Sequence, residues 1–139
     1  MIFNELQMIA IAKLAKAMIA ADGKVEQAEL TAMALEFTKF GVSQEALSRI
    51  LSNADSMESG TAIAIVSLMN EAQKKYVTGY LAFIMAADGE IADSEVAMWS
   101  LISTLATLPT MTIGQALAFW KNNLELACIL YIVRSFIYS

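Results

Sequence analysis

Residues 20–29 read AADGKVEQAE and residues 86–95 read AADGEIADSE, so one pattern occurs twice, 66 positions apart. Both copies have the form Ala-Ala-Asp-Gly-x-(Val/Ile)-x-x-x-Glu, and helix-like apolar patterns lie on either side of each copy. Because Gly can adopt a left-handed conformation, each Asp-Gly pair is a suitable end for the helix before it. The duplication predicts two helix–Asp-Gly loop–helix repeats, packed as one bundle about a pseudo-twofold axis.

The length and composition favour a single all-α domain. A chain of 139 residues with one Pro, six Gly and 58% hydrophobic residues can bury a substantial helical core. We predict one domain over residues 1–139, a bundle of about seven or eight helices. Repeat one covers about 4–55, repeat two about 70–108, and a C-terminal helical segment about 112–138.

Capping signals give the starts of several helices. Asn4 with Gln7, Asn70 with Gln73 and Thr112 with Gln115 have the spacing of capping pairs, and Ser43 is a further N-cap. The predicted helices cover about residues 4–21, 26–40, 44–54, 59–69, 71–87, 93–106 and 112–138, with a loop at 53–56 and a break at 108–110. The residues predicted to face the core include Leu6, Leu68, Trp99, Leu101, Ile102 and Leu105.

The residue types that are absent exclude several classes of function. The chain has no His, and Cys128 is its only cysteine, so neither a disulfide framework nor a zinc cluster is expected. Cys128 lies in an apolar run and is interpreted as a small buried hydrophobe rather than a nucleophile. The net charge of −5 and the scattered basic residues argue against a nucleic-acid partner.

No segment of the sequence is typical of a signal peptide or a membrane span. The longest uninterrupted apolar run is Leu126–Val133, whereas a span needs about 20 residues. The sequence predicts a soluble, cytoplasmic protein without a transmembrane segment and leaves peripheral membrane association open. The apolar run has two interpretations: a central helix covered by both repeats, or an interface with a protein partner or a second copy of the chain.

Acidic residues are concentrated in the repeated pattern. Its two copies, residues 20–29 and 86–95, carry seven of the 14 carboxylates. Two such loops, if brought together, would attract a cation, and hard oxygen ligands favour Ca²⁺, Mg²⁺ or Mn²⁺. A standard EF-hand is excluded, because its first and third ligand positions would be Met18 and Ala20, then Ile84 and Ala86.

The repeated pattern can also be interpreted as purely structural, without a cation site. Glu29 and Glu95 fall at the third position of the following helices, where a glutamate can close a capping box. The N-cap positions, Glu26 and Ala92, are both unsuitable caps, which weakens this interpretation. Nothing in the sequence indicates a catalytic arrangement, so we predict that the protein is not an enzyme.

The duplicated unit, in about 140 residues of helical sequence, resembles the TerB-like (tellurite resistance protein B) family. The resemblance covers about residues 5–108 and implies an all-α fold with internal pseudo-symmetry, a bacterial cytoplasmic setting and a link to tellurite resistance and stress responses. It also implies metal binding through the acids at matching positions, Asp22, Glu29, Asp88 and Glu95, and no enzymatic activity.

Two functions therefore stand side by side. The first is a divalent-cation-binding domain that uses the paired Asp-Gly loops. The second is a helical module for protein–protein interaction or dimerisation, in which the loops are only structural. The chain is also less charged than expected for the tellurite-operon protein, which leaves a role other than tellurite resistance open.

Overall fold

The computed structural model describes residues 3–21, 42–87 and 89–122, which contain helices and no strands. The all-α prediction is therefore confirmed for this part of the chain. Numbered in order over these residues, the helices are α1 (Glu5–Ile19), α2 (Gln44–Ser56), α3 (Ser59–Ser67), α4 (Glu71–Met85), α5 (Asp93–Leu105) and α6, which is helical over 113–122. These six helices do not test the predicted total of seven or eight.

The capping signals of the sequence are all present as hydrogen bonds. At the start of α1, Asn4 Oδ1 accepts from the Gln7 amide at 2.8 Å, and Gln7 Oε1 accepts from the Asn4 amide at 3.0 Å. Asn70 with Gln73 and Thr112 with Gln115 form the same reciprocal boxes at α4 and α6. Ser43 caps α2 through its hydroxyl. These local bonds satisfy amides that a helix start leaves without partners.

Helix α1 lies at the centre of the described bundle. It packs against α2, α3, α4 and α5, and most of its side chains are buried. The sequence of α1, ELQMIAIAKLAKAMI, is apolar on most sides. Such a helix is stable in water only when other elements cover most of its surface, and the four neighbouring helices do so. The two long helices that precede the Asp-Gly segments, α1 and α4, have nine buried residues each, more than α2, α3 or α5.

Helices α4 and α6 approach each other closely at Gly79. A Cβ atom at this position would lie 3.0 Å from the Ala116 carbonyl oxygen and 3.1 Å from Trp120 Cβ. The Trp120 indole packs against rings of α4, with centroids 5.5 Å from Tyr80 and 6.2 Å from Tyr76. The missing side chain of Gly79 therefore allows the indole to fill the space between the two helices.

The predicted loop at 53–56 is wrong, because α2 continues to Ser56. Asp55 lies in its last turn and accepts a hydrogen bond from Lys16 Nζ of α1 at 2.6 Å. The loop is predicted because residues 53–56 form a short, mostly polar run, which is typical of loops. Here its polar side chains lie on the outer side of a helix whose Ile50 and Ala54 are buried. The contact with α1 supports helix in this segment despite its loop-like composition.

Four residues predicted to face the core are exposed instead. Leu6, Leu101 and Leu105 are between 50% and 55% exposed, and Leu68 at the end of α3 is 87% exposed. Trp99 and Ile102, predicted with them, are buried. Helices this rich in apolar residues carry more of them than one buried face can hold, so composition alone does not select the face.

Several predictions lie outside the described residues: the helix at 26–40, the segment beyond residue 122, and the burial of Cys128 within it. Over residues 3–21, 42–87 and 89–122, no helix has both the length and the hydropathy that a membrane crossing requires.

Candidate functional site

The second Asp-Gly segment connects α4 to α5. Helix α4 ends at Met85 with Ala86 as its C-cap, and the Gly89 amide donates to the Ala86 carbonyl oxygen at 3.1 Å. Gly89 has a φ of +82°, in the left-handed region that glycine adopts without steric cost. Nothing lies within 4 Å of a Cβ atom placed there, so the glycine is required by backbone conformation and not by lack of space.

Glu95 is the one predicted ligand that the structure describes, and it is buried. It is the third residue of α5, its side chain is 2% exposed, and its amide donates to the Ala92 carbonyl oxygen at 3.1 Å. The neighbouring acids Glu90 and Asp93 are both exposed. Ala92, the N-cap residue of α5, makes no side-chain hydrogen bond to the helix. A carboxylate in the first turn is favourable there, because the N-terminus of a helix carries a partial positive charge.

The other predicted ligands, Asp22, Glu29 and Asp88, lie outside the described residues. Among the residues that are described, no group of three or more acidic, His or Cys side chains is arranged to hold a metal ion. The predicted four-carboxylate site is therefore represented in the structure by Glu95 alone.

The helices that lead into the two Asp-Gly segments correspond closely. Helices α1 and α4 both have 15 residues, and equivalent positions in them are 66 residues apart. Their capping boxes touch, since Gln73 Nε2 donates to Gln7 Oε1 at 3.3 Å. The last turns of both helices are in the core, where Met18, Ile19, Ile84 and Met85 are at most 1% exposed. Each Asp-Gly segment thus follows a helix end that is anchored in the core.

Two ion pairs join α1 to α2. Arg49 donates from Nε to Glu5 Oε1 at 2.5 Å and from Nη2 to Glu5 Oε2 at 3.2 Å, and Lys16 binds Asp55. The hydrogen bond from Arg49 lowers the pKa of Glu5, and that from Lys16 lowers the pKa of Asp55. All four side chains are partly or largely exposed, so the pairs orient two helices rather than form a reactive centre.

The structure also contains a groove, lined by both hydroxyl and apolar side chains, that the sequence did not indicate. It has a volume of about 330 Å³ and lies along the end of α5 and the turn that follows. Its wall includes Thr107, whose Oγ1 accepts a hydrogen bond of 2.8 Å from Nζ of the buried Lys74. No sequence signal identifies this pair, because a lysine in an apolar helix ordinarily extends to solvent.

Comparison with known proteins identifies the family. The family model described as tellurite resistance protein TerB matches residues 8–118, a range that includes both Asp-Gly segments. No curated protein matches significantly.

One solved structure that matches is the crystal structure of a protein of unknown function, PG1108, from Porphyromonas gingivalis W83. It is 47% identical, with a TM-score of 0.78, and the similarity covers 88% of this chain and 98% of that one. The match therefore extends over nearly the whole of that protein. With the family model matching most of its length, the chain belongs to the TerB family of tellurite resistance proteins.

Proposed function

We propose that this chain is a non-catalytic helical domain of the tellurite-resistance type that binds one divalent cation through Asp22, Glu29, Asp88 and Glu95. The observation that carries the proposal is the burial of Glu95. A carboxylate that is 2% exposed needs favourable partners to offset its lost hydration, and a divalent cation shared with other carboxylates supplies one.

The arrangement of the two repeats supports a shared site. In the proposed fold a pseudo-twofold axis relates α1 to α4, and the hydrogen bond between the equivalent residues Gln7 and Gln73 supports that relation. The same operation would relate the Asp-Gly segments at 22–23 and 88–89, and Glu29 to Glu95. Four carboxylates at one place repel each other, and a bound Ca²⁺, Mg²⁺ or Mn²⁺ removes that repulsion.

Isothermal titration calorimetry with the three ions tests the cation site. Wild type should bind at least one of them saturably, and Glu95→Gln should weaken that binding by about tenfold or more, since it removes a charged oxygen ligand. Asp93→Asn is the matched control, because Asp93 is exposed in the same helical turn and loses the same charge. Absence of both heat and thermal shift with every ion would reject the proposal.

The family membership also motivates a cellular role in bacterial stress responses in the cytoplasm, including tolerance of tellurite. A deletion strain complemented with wild type, with Asp22→Asn plus Asp88→Asn, or with Asp93→Asn should separate this role from the site. Tolerance restored by wild type and Asp93→Asn but not by the double variant would link the site to resistance. Tolerance restored by all three proteins would show that the tolerance does not depend on the cation site.

A second function, a helical interaction module, is favoured by the exposed face of α5. Leu101 and Leu105 lie one turn apart and are 50% and 54% exposed. Exposed leucines at this spacing form one apolar stripe, which suits a helical partner or a second copy of the chain. Light scattering tests whether the chain dimerises through this face, by comparing wild type with the double variant Leu101→Lys, Leu105→Lys. A monomeric wild type at high micromolar concentration would exclude self-association through this face.

A further inference from the structure

Buried polar side chains, aromatic residues apart, are confined to α4 and α5 within residues 3–21, 42–87 and 89–122. They are Lys74, Thr78 and Glu95, exposed by 9%, 0% and 2% respectively. These two helices lie on either side of the second Asp-Gly segment. A buried polar group is stable only where partners satisfy it, so such groups allow fewer arrangements of two helices than apolar side chains do.

Two hydrogen bonds connect α4 to α5 and the turn that follows it. Trp99 Nε1 donates to the Thr78 carbonyl oxygen at 3.4 Å, and Lys74 Nζ donates to Thr107 Oγ1 at 2.8 Å. On α4 itself, Thr78 Oγ1 donates to the Lys74 carbonyl oxygen at 2.8 Å. These four residues form one polar contact, the α4–α5 clasp. Because α5 cannot slide along α4 without breaking both bonds, the clasp determines the register of the two helices.

Glu95 lies one helical turn before Trp99, on the same buried face of α5. The two helices run in opposite directions, since Trp99 contacts the middle of α4 and Thr107 contacts Lys74 near its start. Glu95 is therefore displaced from Trp99 by about 6 Å along α5, towards the end of α4 from which the Asp-Gly segment leaves.

The first turn of α5 has no side-chain cap to hold it in place. Ala92 makes no such hydrogen bond, whereas α4 begins with a complete capping box. The position of the Glu95 carboxylate therefore depends on tertiary contacts of α5, and the clasp begins one turn after it. A ligand must be held within about 0.5 Å of its productive position to bind a cation well, so a change of register would weaken binding.

We propose that the α4–α5 clasp positions Glu95 for the cation, with Trp99 as the positioning residue nearest to it in α5. This role rests on the proposed cation site and deepens it, because it assigns part of the affinity to residues that are not ligands. The clasp acts only through the register of α5 on α4.

Calorimetric titration with Ca²⁺, Mg²⁺ and Mn²⁺ tests the role of Trp99. Trp99→Phe keeps an aromatic ring but removes the N–H donor, and it should weaken binding of the tightest ion by about threefold or more. Trp120→Phe is the matched control, because Trp120 is also buried but packs between α4 and α6. It should keep the wild-type affinity within about twofold. Equal weakening by both variants would overturn the proposal, since affinity would then follow the general packing of the core.

A double-mutant cycle distinguishes the positioning of Glu95 from a general effect on the fold. In a Glu95→Gln background, Trp99→Phe should change the affinity by less than about twofold, because the carboxylate that it positions is gone. An undiminished loss in that background, or wild-type affinity in Trp99→Phe, would overturn the positioning role and leave the cation site intact. Absence of binding in wild type would reject the cation site and the positioning role together.

Two further variants keep the cycle measurable. Should Trp99→Phe fail to fold, Thr107→Val replaces it, because it removes the acceptor of the other hydrogen bond of the clasp. Should Glu95→Gln bind too weakly to measure, Glu95→Asp replaces it, since a shorter carboxylate is still a ligand but is no longer held at the same place. The same outcomes support or overturn the proposal in either case.

Discussion

At the scale of single residues, Thr107 occupies a position that is usually glycine. Its φ of +54° is left-handed, and it ends α5 in a Schellman arrangement. The Leu108 amide donates to the Ser103 carbonyl oxygen at 2.9 Å, and the Thr107 amide to that of Thr104 at 3.4 Å. A β-branched residue is strained here, and the hydrogen bond from Lys74 offsets part of the strain.

Two substitutions of Thr107 distinguish the effect of its backbone strain on stability from the effect of its hydrogen bond with Lys74. Thr107→Val keeps the branched shape but removes the acceptor for Lys74, and we expect it to lower the free energy of unfolding by about 1–2 kcal/mol. Thr107→Asn retains an acceptor in a residue that tolerates the left-handed region, so its stability should equal or exceed that of wild type. Urea denaturation measures both. A Thr107→Val protein as stable as wild type would show that the hydrogen bond contributes nothing.

Gly79 and Gly60 give opposite expectations for the same substitution. Gly79→Ala should destabilise by about 1–3 kcal/mol, because the added methyl collides with Ala116 and Trp120. Gly60→Ala should stabilise by about 0.5–1 kcal/mol, since Gly60 is helical and has open space at its Cβ. Thermal and urea unfolding compare the two. If Gly79→Ala stabilised as much as Gly60→Ala, the close packing of α4 on α6 would be incorrect.

At the scale of helices, the starts could be predicted from sequence because their causes are local. A capping box joins residues only three apart, so the pairs at Asn4, Asn70 and Thr112 identify themselves without tertiary information. The end of α2 could not be predicted in the same way. Its last turn is stabilised by the bond from Lys16 to Asp55, which is 39 residues away in sequence.

Helix α5 lacks the side-chain cap that α1, α2, α4 and α6 have, and a substitution can supply one. Ala92 has extended N-cap geometry, with φ −74° and ψ 142°, but no side-chain hydrogen bond. Ala92→Ser should stabilise the fold by about 0.5–1 kcal/mol, and Asn70→Ala should cost about 1 kcal/mol by removing a cap that exists. Differential scanning calorimetry compares both with wild type. A destabilised Ala92→Ser protein would contradict the expectation that a serine hydroxyl caps α5 at this position.

At the scale of the whole molecule, burial was the feature least accessible to sequence reasoning. Because 58% of the residues are hydrophobic, several faces of one helix satisfy the same apolar pattern. Leu101 and Leu105 therefore seemed as suited to the core as Ile102, although only Ile102 is buried. Lys74 illustrates the converse, since its burial depends on a turn formed 33 residues later in the chain.

The same limit applies to the candidate cation site. The sequence identified four acids by their repeated spacing, and the structure places Glu95 in a buried position at the start of α5. Convergence of all four acids depends on how the two repeats pack, which local spacing does not determine. The central claim, that the four acids converge on one cation, therefore concerns the tertiary arrangement and not the types of residue.

The ion pairs between α1 and α2 make stability depend on pH in a definite direction. Because the pKa values of Glu5 and Asp55 are lowered in the folded state, these pairs stabilise the fold above the ordinary carboxylate range. That contribution is lost as the pH falls through the lowered values. Thermal melts between pH 7 and pH 3 should therefore show a smaller decrease for Lys16→Met with Arg49→Met than for wild type.

Lys75→Met with Lys121→Met is the control for this pH dependence. Both lysines are exposed, and the double variant changes the net charge by the same amount. It should keep the wild-type decrease in melting temperature, because the two interhelical pairs stay intact. A decrease as small as that of Lys16→Met with Arg49→Met would assign the effect to total charge and contradict the role of the pairs.

The most direct test of the central claim is a crystal structure of the protein soaked in Mn²⁺, with anomalous scattering recorded to locate the ion. We expect one anomalous peak with oxygens of Asp22, Glu29, Asp88 and Glu95 around it at about 2.0–2.6 Å, the range for hard divalent cations. If no peak lies near them and their oxygens share no point within about 5 Å, the Asp-Gly segments are structural turns and the cation proposal is wrong.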